Sequence, residues 1–130
     1  MQQRINAYFS DKEDLLVHSV SRMVRIESTT GAARPGMPFG EGPAAALDEM
    51  LRLSEELGLP GENLEGYVGV IDLNKQETAL HILGHLDVVD GGEDWTQTTP
   101  FKPKLVDGIL YGRGTDDDKG PMVAALLALK

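Results

Sequence analysis

The chain contains no cysteine. It therefore has neither disulfides nor thiolate ligands, and any metal it holds must be bound through nitrogen and oxygen. Cationic side chains are scarce as well: 12 Lys and Arg stand against 21 Asp and Glu, a formal net charge of −9. That balance argues against nucleic-acid and anionic-membrane partners. Residues 1–10 lack a continuous apolar stretch of signal-peptide length, and no later run approaches a membrane span. A cytoplasmic location is the expectation.

What is present suits a soluble α/β domain. With 130 residues, 41% of them hydrophobic, the chain has enough material for a core. Asp11 to Asp14 open a predicted helix that carries Leu15, Leu16, Val20, Met23, Val24 and Ile26, with acids in its first turn. Residues 28–42, rich in Gly, Pro and Thr, read as a loop. A second helix is predicted over Gly42 to Leu57, with Leu47, Met50, Leu51, Leu53 and Leu57 as its apolar stripe and Gly58 as its stop.

Two neighbouring strands are then expected, Tyr67 to Leu73 and Thr78 to Leu83, joined by the polar residues 74–77, with the second in the sheet interior. Residues 91–103 form a long loop, and Asp107-Gly108 predicts a hairpin turn before the short strand Ile109-Leu110-Tyr111. The final helix is predicted over Met122 to Leu129, with Pro121 in its first turn. It carries no Gly, Asn or Pro stop signal after Leu129, so the sequence reads as the N-terminal piece of a longer protein.

Two motifs carry chemistry. Gly84-His85-Leu86-Asp87-Val88-Val89 closes the apolar run of the second strand, and a side-chain period of two puts His85 and Asp87 on one face. A metal-bound histidine usually donates its other ring N–H to a carboxylate, so this spacing suits a ligand with its orienter. The second motif, Gly112-Arg113-Gly114-Thr115-Asp116-Asp117-Asp118-Lys119-Gly120-Pro121, places three aspartates just before a helix N-terminus. A carboxylate there is favoured by the helix dipole and can face a divalent cation, or it can simply cap the helix. Three in a row exceed what a cap needs. Of the other histidines, His18 reads as a surface or packing residue and His81 as a hydrogen-bonded core residue. Trp95 reads as a loop anchor, with substrate contact as the alternative. Arg113 is either a carboxylate binder or a solvated charge.

These two motifs, in this order, resemble the metal-site motifs of the M20 family of zinc peptidases and deacylases. Pro38-Phe39-Gly40-Glu41-Gly42-Pro43 and Asn63-Leu64-Glu65-Gly66-Tyr67-Val68-Gly69 further resemble its PepV-type bacterial dipeptidase branch. The resemblance implies a three-layer α/β/α zinc-exopeptidase-like catalytic domain, of which residues 1–130 would be the N-terminal part. It implies that His85 and Asp117 are metal ligands, with Asp117 bridging two Zn2+ (or Co2+ or Mn2+), and that Asp87 orients His85 and assists catalysis. It also implies a cis peptide bond between Asp117 and Asp118. Asp116 departs from the small residue often found there, and Asp118 occupies a variable place.

The implied reaction is hydrolysis of dipeptide bonds, with cations polarising the carbonyl and activating water. A general-base glutamate, a further acidic ligand and a late histidine would lie beyond Lys130. The isolated chain is therefore expected to be inactive and could self-associate through an uncovered sheet edge. The competing readings are an M20-type N-acyl amino acid deacylase and a non-catalytic binding or assembly module.

Overall fold

A computed structural model describes residues 2–130. It shows a mixed α/β chain: helices α1 (Gln2–Phe9), α2 (Glu13–Val24), α3 (Glu41–Glu56) and α4 (Lys119–Ala128), with strands β1 (Gly61–Leu64), β2 (Val68–Ile71), β3 (Lys104–Val106) and β4 (Ile109–Tyr111). No helix among the described residues is long and apolar enough to cross a membrane.

The core is helical. Val20, Met23 and Val24 of α2, Ala46, Met50 and Leu53 of α3, and Val123, Leu126 and Leu127 of α4 are buried together with Leu59. The apolar positions of α2 and α3 recur at helical spacing, so each presents one stripe inward. Gly58, at φ 77°, ends α3, where only a residue tolerant of the left-handed region fits easily. Across the solvent side of this packing, Arg22 of α2 donates from Nε to Glu49 Oε1 at 2.7 Å and from Nη1 to Glu56 Oε2 at 2.6 Å, both on α3. Arg52 also pairs with Glu49, so the mostly buried Glu49 carboxylate is met by two cations. The Arg22 hydrogen bond holds the Glu56 carboxyl below its usual range.

The strands form two separate antiparallel hairpins. In the hairpin β3-β4, Val106 faces Ile109 across Asp107 and Gly108, whose φ values of 49° and 79° are those of a primed turn that matches strand twist. This is the turn that Asp107-Gly108 predicted. The first hairpin differs from expectation. β2 pairs with β1, a strand that sequence patterning did not suggest, with Leu64 opposite Val68 and Gly61 opposite Ile71. Glu65 and Gly66 take positive φ in the turn and the Asn63 side chain accepts the Gly66 N–H at 2.7 Å, so a local turn claims β2.

Thr78 to Leu83 is not a strand, and the expectation of a buried interior strand there is corrected. Leu80 is 74% exposed and Leu83 93%. The physical reason is pairing: a buried apolar strand needs ladder partners on its edges to satisfy its N–H and C=O groups, and among the described residues none lies beside this segment. His81 is accordingly exposed rather than a core histidine. His18 is exposed, as a surface histidine should be.

Two further differences concern the helices. α4 begins at Lys119, earlier than the predicted Met122, with Asp118 at the capping position but no side-chain cap bond. The N-terminal residues 2–9, given no element by the sequence, form α1, which buries none of its residues.

Candidate metal centre

The segment after Leu83 and the loop between β4 and α4 meet at one point. His85 Nε2 lies 3.1 Å from Asp117 Oδ1. On the other side of the ring, Nδ1 lies 3.1 Å from the Asp87 main-chain oxygen and 3.4 Å from Asp87 Oδ1. Asp118 is turned the other way: its Oδ2 accepts the main-chain N–H of His85 at 3.1 Å, so the carboxylate ties the two segments instead of capping α4. The Asp117–Asp118 peptide bond is cis. Asp116 is exposed, and no hydrogen bond joins its side chain to another described residue.

Why the chain can make this approach is a matter of missing side chains. A Cβ on Gly84 would collide with Met122 Sδ and Asp118 Oδ2, and a Cβ on Gly120 would collide with the Thr115 carbonyl oxygen. Glycine at both places lets the loop lie flat against the histidine segment and the first turn of α4. Gly120 N–H then donates to Gly114 O at 3.0 Å.

The ring environment has a defined charge preference. Burial lowers the His85 pKa, but the Asp87 carbonyl and the carboxylates of Asp87 and Asp117 outweigh it, and the net shift is upward. Contacts from both ring nitrogens to oxygen are those of an imidazolium, a donor on both sides. With oxygen acceptors on both sides, the surroundings of the ring favour positive charge.

A divalent cation fits the same place. Bonds of about 2.0–2.2 Å to a histidine nitrogen and a carboxylate oxygen set the two donors about 2.8–3.5 Å apart as the angle between them opens from about 90° to the tetrahedral value. The 3.1 Å between Nε2 and Oδ1 falls within that range. The Nδ1 contacts leave the proton on Nδ1 and the Nε2 lone pair for the metal. His85 is half exposed and Asp117 largely exposed, with side-chain exposures of 51% and 85%, so the His85 environment is more open than a buried strand end predicts. Among the described residues no group of three or more His, Cys, Asp or Glu side chains is placed to hold a metal ion, and His85 and Asp117 stand as a pair.

Three residues behind the site were not singled out by sequence. Ser28 Oγ donates to Leu86 O at 2.6 Å, Ser28 O accepts from Val88 N at 3.2 Å, and Lys119 Nζ donates to Ile26 O at 2.6 Å. Lys119 and Ser28 are fully buried. Burial pushes the Lys119 ammonium down to about 8. The signal for Lys119 was available: it stands between the last aspartate and the glycine of the motif. Ser28 and Ile26 gave none.

The neighbouring loop is held by its aromatic residue. Trp95 Nε1 donates to Gly91 O at 2.7 Å, Arg113 Nη2 donates to the same oxygen at 3.2 Å, and the Arg113 guanidinium stands 5.8 Å from the Trp95 ring centre. Trp95 therefore anchors its loop, as read from sequence. On the other side, Phe39 and Tyr67 meet edge to face at 5.5 Å, and an open cavity of about 280 Å³ runs from this pair between α3 and α4 to His85 and Asp87.

The sequence is similar to those of known proteins. A sequence model described as "Peptidase family M20/M25/M40" matches residues 81–130, the stretch that holds both motifs. A protein of Bacillus subtilis (strain 168) named "Putative dipeptidase YtjP" is 41% identical over 121 residues, 92% of this chain and 26% of the relative. A "Beta-Ala-Xaa dipeptidase" of Lactobacillus delbrueckii subsp. lactis is 35% identical over 117 residues, 88% of this chain and 25% of the relative. The chain thus spans about a quarter of the length of the curated relatives it matches. With both motifs inside the matched stretch and 41% identity in an alignment over nine-tenths of the chain, this polypeptide belongs to peptidase family M20/M25/M40.

Proposed function

We propose that the protein carrying this chain is a metal-dependent dipeptidase in which His85 and Asp117 are metal ligands and Asp87 orients His85. The observation that carries the proposal is the approach of His85 Nε2 to Asp117 Oδ1 at 3.1 Å, a spacing that fits two donors on one cation. Zn2+ suits the donor types, with Co2+ or Mn2+ as substitutes, and Asp117 would also help to hold a second cation. Cations so held supply polarisation of a carbonyl and a water acidic enough to attack near neutral pH.

The chain's own residues do the positioning. Asp87 fixes the imidazole tautomer from the Nδ1 side, and Asp118 holds the His85 backbone so that the ring faces Asp117. The names of the two relatives support dipeptides as the substrate class. A three-layer α/β/α catalytic domain, completed by polypeptide outside residues 1–130, is part of the same reading. So is a cytoplasmic location. The 130 residues alone are expected to turn over no substrate, since two ligands cannot hold and activate a metal as a full set does.

The test is a substrate panel on the whole protein, comparing dipeptides with N-acyl amino acids, with and without chelator, in wild type and His85→Ala. Chelator-sensitive hydrolysis of dipeptides that the substitution abolishes is the expected result. Preference for N-acyl amino acids would assign the deacylase reading. Hydrolysis indifferent to chelator and to His85 would refute the metal centre.

A further inference from the structure

The two segments that form the metal centre hang from one support. Ile26 O receives the Lys119 ammonium at 2.6 Å, and two residues later Ser28 takes hold of the histidine segment on both sides of Asp87, through Leu86 O at 2.6 Å and Val88 N at 3.2 Å. Lys119 directly follows Asp118, so its anchor fixes the end of the aspartate loop. The stem of Lys119 runs along Gly114, where a Cβ would stand only 3.0 Å from Cδ. Residues 26–28 thus lie behind both halves of the site, leaving α2 only a residue or two earlier.

The chemistry of these contacts is not that of ordinary packing. A lysine sealed from water with a single carbonyl as its partner is an expensive way to fill space, because the ammonium loses hydration and gains no carboxylate. An apolar side chain of the same length would fill the volume at lower cost. What the ammonium adds is a directional bond of fixed length to one backbone oxygen. The Ser28 hydroxyl, 0% exposed like Lys119, adds a second such bond on the same short segment.

We infer that Lys119 and Ser28 are positioning residues of the metal centre: by tying the aspartate loop and the histidine segment to residues 26–28, they set the separation of His85 Nε2 and Asp117 Oδ1. This rests on the metal-centre reading above. It assigns neither residue any contact with substrate or metal.

The experiment uses the whole protein with Co2+ as the probe, in wild type, His85→Ala, Lys119→Met and Ser28→Ala. Three quantities are read: Co2+ affinity, the visible absorption spectrum of the Co2+-saturated protein, and Tm without metal. Lys119→Met and Ser28→Ala are expected to fold, to bind Co2+ roughly 10- to 100-fold more weakly, and to show shifted visible bands at saturation, because displaced ligands alter the coordination geometry. A merely structural role would lower Tm and leave the saturated spectrum unchanged. Folded variants with wild-type affinity and spectrum overturn the inference, as does a fall in Tm alone. If Lys119→Met does not fold, Ser28→Ala decides on the same readouts. Wild-type binding that His85→Ala abolishes, with Ser28 and Lys119 variants unchanged, sinks this inference only. A wild type that binds no Co2+, or a His85→Ala variant that binds as well, sinks the metal-centre reading and this one with it.

Discussion

His85 and Asp117 stand 32 residues apart in sequence and 3.1 Å apart between Nε2 and Oδ1. The approach is indirect in origin: Asp118, Ser28 and Lys119 fix the backbones, and glycines at positions 84 and 120 clear the path. Each of these supports can be removed singly.

The pH behaviour of the metal-free protein follows from the His85 environment. Its pKa is raised in the folded state, with burial opposed and outweighed by Asp87 and Asp117. A raised pKa means that the protonated ring stabilises the fold. That contribution is fully present below about pH 6.5, the unfolded value, and is lost as pH rises through the folded pKa. In chelator, the denaturant midpoint of wild type relative to His85→Gln is therefore expected to fall between pH 5.5 and pH 8. Metal affinity should move the opposite way over the same range, because the cation displaces the proton. An affinity that weakens with rising pH would contradict the assignment.

Gly84→Ala tests the close approach of the two segments. The added methyl meets Met122 Sδ and Asp118 Oδ2, and the second contact displaces the carboxylate that holds the His85 N–H. Overpacking of this kind costs about 1–3 kcal/mol. Urea denaturation should show that loss, and Zn2+ titration of the same variant should show weakened binding. Wild-type stability and affinity together would mean that the segments are not in contact.

Arg22 is expected to matter to the pairing of α2 with α3. Replacing it by Met removes its bonds to Glu49 and Glu56 and should lower Tm by a few degrees at neutral pH. Glu56 gives the sign of the pH dependence: its pKa is lowered in the folded state by Arg22, so its contribution is present above the unfolded carboxylate value and fades as acid titrates the folded group. The Tm difference between wild type and variant should shrink from pH 7 to pH 3. A difference that grows toward acid would rule out this pairing.

Trp95→Phe keeps the ring beside Arg113 but deletes the bond from Nε1 to Gly91 O. A hydrogen bond of this type is worth about 1 kcal/mol net. Limited proteolysis should cut the loop at residues 91–103 faster in the variant, with little change in metal binding. Equal cleavage rates would show that the ring alone anchors the loop.

The sequence made some features readable and concealed others for physical reasons. The helix α3 was legible because Leu47, Met50, Leu51 and Leu53 recur at helical spacing and Gly58 closes it. The turn at Asp107-Gly108 was legible because few residue pairs accept two successive positive φ values. Residues 78–83 misled because an apolar run reports the wish to be buried, whereas a strand also needs a neighbour to pair with. β1 went unseen because Gly61-Glu62-Asn63-Leu64 has no apolar alternation; its turn, with Asn63 bonding Gly66, makes the hairpin.

At the site, the His85 and Asp117 motifs could be found by residue type and order. The capping reading of the aspartates was chemically sound, but the Asp118 carboxylate lies against the His85 N–H instead. Lys119, fully buried with its ammonium on a backbone carbonyl, runs against the rule that lysines stay at the surface.

The most direct test of the central claim is equilibrium dialysis of the whole protein against Zn2+, comparing wild type with His85→Ala and Asp117→Ala and reading bound metal by emission spectrometry. The account predicts tight binding by wild type and a loss on the order of 100-fold or more for each variant, since each removes a direct ligand where even supporting residues cost 10–100-fold. Equal metal content in all three proteins would contradict it.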